Sequence, residues 1–373
     1  MDPFTEPDAL STYFTSPVPW NASANWSSAS PRPPSPGQYR CTFQEDFKYV
    51  LLPLTYWLCF ALGAPLNGAT LWIFLRQRRR WNFYYHCMFH LIVSDTLYTL
   101  SLPLLGVYYA LGNHWPFGGA LCSTARFTFY FNMYTSIMFL ACISAHRYLK
   151  VRWSGCPKEG RVAGHLLSAR AAPWVCAAVW VAVLAQTAPI FSFTTTKPPS
   201  ASANKIVCPD TTTKERFQSF LVYSCVTSVT LFALPLCSIL ASYCMIVRKL
   251  RAGGGGGLGP NDRSRAFRMR TTRLIFTVML VFSISFVPFH VTRALYYALR
   301  GVGDASCDLL NAVNTAYKVT RPLASANCCL DPLLFVFSSK KIRAEFLHSV
   351  RPSKSAAPRA GAEGVMEQES ALV

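Results

Sequence analysis

Five stretches of this chain, Tyr49–Leu75, Phe127–Ala145, Ala171–Phe193, Phe217–Val247 and Leu274–Thr292, contain no Asp, Glu, Lys or Arg. A bilayer core needs about 20 mostly apolar residues as helix, and each run is of that order or longer. Two further segments, Phe83–Leu111 and Asp308–Phe337, are interrupted internally by single acids, Asp95 and Asp331, and the second also by Lys318 and Arg321. The count is seven. Charged residues are 14% of the chain and hydrophobic residues 51%, against about 25% charged in soluble domains. A soluble protein with buried core helices does not fit, because such helices are rarely this long and this uniformly apolar. The fold class read here is an all-α membrane protein, a seven-transmembrane helix bundle, with spans at about 48–75, 84–111, 119–149, 169–192, 216–250, 268–299 and 308–337.

Orientation follows from the basic residues. Arg76 and Arg78 to Arg80 follow the first span, Lys150, Arg152, Lys158, Arg161 and Arg170 lie between the third and fourth, eight from Arg248 to Arg273 surround the fifth connection, and Lys340, Lys341 and Arg343 follow the seventh. Lys and Arg collect on cytoplasmic loops, so these face inward and the amino terminus is outside. The net charge of +19 is therefore a topology signal and not a nucleic-acid patch. The sequons at Asn21 and Asn25 precede the first span and agree with an extracellular, glycosylated leader over 1–47. That leader is Pro/Ser-rich and lacks an apolar h-region, so the first span is expected to direct insertion. The receptor domain is 48–338, a short amphipathic helix at the membrane surface 339–350, and a cytoplasmic tail 351–373.

Four of the fourteen cysteines, Cys41, Cys122, Cys208 and Cys307, fall on the oxidising side, where three pairings are open. Cys122 with Cys208 would pin the second outer loop over the mouth. Cys41 with Cys307 would tie the leader to the last outer loop.

A cation inside a span is costly unless it faces water or a partner. Arg126, Tyr130 and Tyr134 share one helix face at i, i+4, i+8; His290, Arg293 and Tyr297 do so at i, i+3, i+7; Lys318 and Arg321 at i, i+3. Three helices thus present cations at similar depth, the pattern of a site for a polyphosphate-like anion. Arginine offers a planar fork to phosphate oxygens, lysine a point charge, and tyrosines a surface for a base or ribose. Alternatives stay open at two positions: His290 as a packed imidazole, and Lys318 snorkelling outward or pairing with Asp210.

Motifs spread over residues 41 to about 348 resemble the rhodopsin-like G-protein-coupled receptors. They are Gly63 to Asn67, Leu91-Ile-Val-Ser-Asp95, Arg147-Tyr148, Trp180, Pro235 and Tyr243, Phe286-Val-Pro288, and Asn327 through Asp331-Pro332 to Phe335. His114-Trp-Pro-Phe-Gly118, Cys208-Pro-Asp210, Phe289-His290-Val-Thr-Arg293 and Tyr317-Lys318-Val-Thr-Arg321-Pro-Leu-Ala-Ser-Ala-Asn327 resemble the metabotropic purinoceptors, most closely the UTP/ATP-responsive branch. The resemblance implies a plasma-membrane receptor for extracellular nucleotides, coupling through Gq, phospholipase C and calcium release. It implies a ligand site of Arg126, Tyr130, Tyr134, His290, Arg293, Tyr297, Lys318, Arg321 and Asp210, and a sodium or water pocket of Asn67, Asp95, Ser136, Asn327 and Asp331. Arg147, Tyr148 and Tyr243 are the implied G-protein-coupling residues; the partners are a Gq-type G protein, arrestin and membrane lipids, with no nucleic acid and no cofactor.

The chain also departs from the pattern. His146 stands where an acid usually precedes Arg147, and the base of the sixth helix offers Arg268, so no ionic latch is expected; Phe286 and Phe335 replace the usual Trp and Tyr. An enzyme would need a nucleophile–base or metal constellation, and the pentaglycine at 253–257 lacks a phosphate-loop lysine. A transporter would more often show repeat symmetry. The runner-up reading is a receptor of the same fold for a dicarboxylate, a cysteinyl leukotriene or a lysophospholipid.

Overall fold

The computed structural model describes residues 41, 43–76, 81–153, 170–194, 196, 205–209, 212, 214–252, 276–302 and 305–338. Asn21, Asn25, Asp210, Arg268, the 339–350 helix, the tail and the Phe335 side chain lie outside the described residues.

Within those residues seven long helices form the bundle: α1 Lys48–Arg76, α2 Phe83–Ala110, α3 Gly118–Trp153, α4 Ala172–Phe193, α5 Lys214–Ala252 in three consecutive pieces, α6 Phe276–Gly301 and α7 Cys307–Ser338. Six are long and apolar enough to cross a bilayer. The seventh has 32 residues but carries Lys318, Arg321 and Asp331, which lower its apolar character. Hydrocarbon offers no hydrogen bonds, so backbone groups are satisfied inside each helix and polar side chains turn back on it. Thr55, Thr70, Thr96, Thr187 and Thr292 each donate to the carbonyl four residues earlier.

α3 is the axis of the bundle: its most apolar stretch is 78% buried, against 28% for those of α4 and α5. Val50, Leu54, Leu100, Trp174 and Val181 are exposed along the outer helix faces, where a bilayer covers them. α1 and α2 approach closely at Gly106, where a Cβ would come within 2.9 Å of the Trp57 indole nitrogen. α2 is capped at both ends. Asn82 Oδ1 accepts from Tyr85 N at 3.1 Å. At the other end Gly112, with φ of 62°, donates to the Tyr109 carbonyl and Asn113 to the Tyr108 carbonyl, each at 3.1 Å, the paired bonds of a left-handed helix stop.

Two disulfides staple the same end of the bundle, Cys122–Cys208 and Cys41–Cys307. The connection between α2 and α3 is drawn into that staple. Trp115 is fully buried, its amide donates to the Ile206 carbonyl at 2.8 Å, and its indole donates to the Gly118 carbonyl at 2.8 Å.

Prolines interrupt two helices beside the site. Pro235 has no N–H to offer the preceding turn, and α5 widens just before it into a π turn, Val229–Ala233. That turn aims Phe232 at His290, ring centroids 3.9 Å apart and nearly parallel. α6 is broken at Phe286, two residues before Pro288, and resumes as Val287–Val302.

Candidate ligand site

Arg126 of α3, Arg293 of α6, and Lys318 and Arg321 of α7 are buried near the disulfide end. Arg126 lies one turn past Cys122, about 6 Å along the helix, and its Nη2 donates to the Cys208 carbonyl at 2.6 Å. The staple and the arginine therefore fix each other. Arg293 lies over the Tyr130 ring at 4.7 Å and the Tyr297 ring at 5.4 Å, and its Nη1 donates to the Tyr134 hydroxyl at 3.1 Å. Among the described residues its Nε meets no hydrogen-bond partner. Arg321 lies over the Phe129 ring at 4.8 Å. Facing aromatic quadrupoles give these guanidinium groups partial solvation in place of water.

The rings join into one floor. Phe129 meets Phe289 at 5.6 Å, Phe289 meets Tyr317 at 5.6 Å, and Tyr317 stacks on Tyr296 at 5.7 Å. Thr292 and Thr320 share a hydroxyl hydrogen bond of 2.8 Å, which locks α6 to α7 between Arg293 and Arg321. His290 lies below this layer, stacked on Phe232 and 5.7 Å from the Tyr134 ring. Neither of its ring nitrogens meets a hydrogen-bonding partner among the described residues, so the structure gives it the packed environment.

Lys318 has a neighbour that neither sequence alternative names. Its Nζ stands 4.0 Å from Glu45 Oε1, and Glu45 also takes 2.6 Å and 2.5 Å hydrogen bonds from Asn314 and Lys48. The Glu45 carboxyl is pushed up by burial, but Lys318, Lys48 and the hydrogen bonds from Lys48 and Asn314 outweigh this and hold it below its ordinary range. Sequence reasoning missed Glu45 because it sits before the first span among polar residues with no periodic pattern. Its signal was the short spacing from Cys41, whose bridge to Cys307 delivers it to α7.

The resulting charge balance is the site's main property. Among the described residues Arg126, Arg293, Arg321, Lys318 and Lys48 are buried at this end, and Glu45 is a buried carboxylate beside Lys48 and Lys318. Such a layer suits a ligand with several anionic oxygens and an aromatic portion. The described residues hold no cluster of three or more His, Cys, Asp or Glu able to bind a metal ion.

A second polar layer lies deeper. Asn132 Nδ2 donates to Asp95 Oδ1 at 2.8 Å, and Asn327 Nδ2 to Asp331 Oδ2 at 2.6 Å; the Asp95 and Ser136 side chains both approach the Asp331 carboxyl. Asn67 spends its amide on the Gly63 and Cys328 carbonyls, at 2.9 and 2.8 Å, and so ties α1 to α7. Asn132 went unassigned in the sequence because it occupies a run otherwise read for its aromatics. Asp95 Oδ2, Ser136 Oγ, Asn327 Oδ1 and Asp331 Oδ1 are buried oxygens without a hydrogen-bond partner among the described residues, and an all-oxygen donor set fits a hard cation such as Na+.

At the opposite end Arg147 lies over the Tyr84 ring at 5.0 Å, and His146 stacks on Phe83 at 4.5 Å. No salt bridge to Arg147 occurs among the described residues. Lys249 of α5 donates to the Val151 and Arg152 carbonyls at 2.6 Å each, capping α3. Tyr148 and Tyr243 pack beside Val151 and Ile246.

Comparison with known proteins adds a lineage to this geometry. The family described as 7 transmembrane receptor (rhodopsin family) matches residues 66–335. The chain is 46% identical over 327 residues to purinoceptor 2 of Homo sapiens, covering 86% of this chain and 81% of that one. It is 44% identical over 329 residues to purinoceptor 4 of Rattus norvegicus, covering 86% and 85%, and 40% identical over 312 residues to purinoceptor 3 of Meleagris gallopavo, covering 82% and 90%.

Proposed function

This chain belongs to the purinoceptors of the rhodopsin family of seven-transmembrane receptors, and we propose that it detects extracellular UTP- or ATP-like nucleotides and signals through Gq, phospholipase C and calcium release. It is a multi-pass plasma-membrane receptor and not an enzyme. The observation that carries the nucleotide reading is the layer of buried arginines from α3, α6 and α7, resting on aromatic rings and joined by Lys318.

In this reading the disulfide end is extracellular and the leader carries glycans at Asn21 and Asn25. Arg126, Arg293 and Arg321 take the phosphates, with Lys318 toward the terminal one. Tyr130, Tyr134 and Tyr297 line the ribose and base, His290 supports them from below, and Asp210 belongs to the same ligand set. Asp95, Ser136, Asn327 and Asp331 would hold Na+, with Asn67 bracing α1 against α7. Sodium would supply the positive charge that two neighbouring buried carboxyls need. Arg147, Tyr148 and Tyr243 meet the G protein, and arrestin shares that face.

The reading is tested by expressing the chain in cells without endogenous nucleotide receptors and measuring inositol phosphate and calcium after UTP, ATP, UDP and ADP. Dicarboxylates, cysteinyl leukotrienes and lysophospholipids run alongside. Response to one of those acids or lipids in place of nucleotides overturns it.

A further inference from the structure

The stretch between the Cys41 bridge and α1 wraps one face of α7. Gln44 N donates to Asn311 Oδ1 at 3.3 Å, Glu45 Oε1 accepts from Asn314 at 2.6 Å, and Lys318 follows on the same helical face, since 311, 314 and 318 are spaced i, i+3, i+7. Glu45 is 8% exposed and Lys318 5%. The carboxylate is thus inserted at the edge of the cation layer and held by a disulfide four residues away.

Its two lysines are not equivalent. Lys48 Nζ makes a 2.5 Å contact with Oε2, whereas Lys318 Nζ stands 4.0 Å from Oε1, beyond hydrogen-bond length. Glu45 is therefore anchored by Lys48 and only approached by Lys318, and Lys318 lies on the side of Arg321, one turn along α7.

We propose that Glu45 is a built-in anionic occupant of the ligand site, which competes with the ligand's terminal phosphate for Lys318 and so sets the preference between ligands of different charge. This rests on reading the cation layer as a phosphate site. A ligand phosphate that reaches Lys318 is repelled by Glu45, and a shorter ligand that stops at the arginines feels that repulsion less, because the interaction falls with distance. Lys48, by holding Glu45 on the far side, moderates the competition.

The isosteric Glu45→Gln variant removes the charge and keeps one of the two acceptor oxygens that Asn314 and Lys48 donate to, the other becoming an amide donor. Its expected effect is about a tenfold gain in potency for UTP and ATP and under about threefold for UDP and ADP, for a charge removed some 4 Å from the Lys318 ammonium. In a Lys318→Gln background the same substitution should change potency by less than about twofold, because charges that do not share a partner act independently. Lys48→Gln should act with the opposite sign and weaken triphosphates selectively. Purified wild-type and variant receptors are also compared by thermal shift with inorganic tripolyphosphate and pyrophosphate, where Glu45→Gln should increase stabilisation by tripolyphosphate more than by pyrophosphate.

If tripolyphosphate behaves so while no nucleotide activates either protein, the nucleotide reading fails and the role of Glu45 stands. An equal change for all four nucleotides and both phosphates, or a gain that persists without Lys318, would overturn it and leave Glu45 as a strut between leader and α7.

Discussion

Arg293 of α6 donates to the hydroxyl of Tyr134 on α3 at 3.1 Å, so a guanidinium of the candidate ligand site also ties α6 to the bundle axis. A ligand that draws Arg293 away from that hydroxyl would free α6 to move, because Pro288 and the break at Phe286 lie five and seven residues before it, about one and a half and two turns.

Arg293→Ala and Arg321→Ala should each lower nucleotide potency by about one to three decades, given about 1.5–3 kcal/mol or more for a lost charge-assisted contact in a desolvated site. Tyr134→Phe removes a neutral hydroxyl bond alone and should cost less than about tenfold. Calcium responses at matched surface expression measure both. Unchanged potency in both arginine variants removes the phosphate assignment.

The two disulfides have different jobs. Cys122–Cys208 holds the carbonyl that Arg126 grips, so Cys208→Ser should abolish surface delivery or agonist response. Cys41→Ser releases the segment bearing Glu45 and should leave the receptor at the surface with altered potency, since a staple contributes about 2–4 kcal/mol. Surface immunolabelling and dose–response curves separate the outcomes; identical loss of both proteins would contradict the division.

Sodium sensitivity should follow the Asp95 layer. Asp95→Asn is expected to abolish the effect of replacing Na+ with a large organic cation and to change agonist signalling strongly. Asn132→Ala removes the 2.8 Å donor to Asp95 and should produce a weaker form of the same change, since two states separated by a few kcal/mol are rebalanced by one buried polar group. Radioligand competition with and without Na+ is the measurement, and full retention of sodium sensitivity in Asp95→Asn rules the pocket out.

Arg147 lies over a tyrosine ring with no carboxylate on it among the described residues, and Lys249 ties α5 to the end of α3 beside it. Lys249→Ala should raise basal inositol phosphate about two- to fivefold, as a loss of about 0.5–1 kcal/mol from one state predicts. His146→Ala loses a stacked ring contact with Phe83 and should lower expression more than it alters basal activity.

Glu45 also bears on pH. Lys318, Lys48 and Asn314 keep its carboxyl below the ordinary carboxylate range. A depressed acid contributes stability that is present above its unfolded value, about 4.3, and lost as pH falls through the lower folded value. The groups facing it among the described residues are Lys48, Lys318 and Asn314. The potency ratio of Glu45→Gln to wild type, for one agonist, is therefore expected to stay constant between about pH 7.4 and 5.5; convergence of the two proteins at the acidic end would mean that Glu45 titrates in that window.

Helix count and membrane character were legible in the sequence because bilayer solvent imposes a length and a composition that local residues cannot evade. The shared faces of Arg126 with Tyr130 and Tyr134, and of Arg293 with Tyr297, were legible too, because helical period alone sets them. What one helix does to another was not. The disulfide partners, Glu45 delivered to Lys318 across 273 positions, Asn132 on Asp95, Phe232 turned onto His290 by a π turn, and Arg147 laid on Tyr84 all depend on how the seven helices rotate and cross. That choice is made by packing, where close contact and buried hydrogen bonds between distant residues compete at once. No periodicity within a single segment records the outcome.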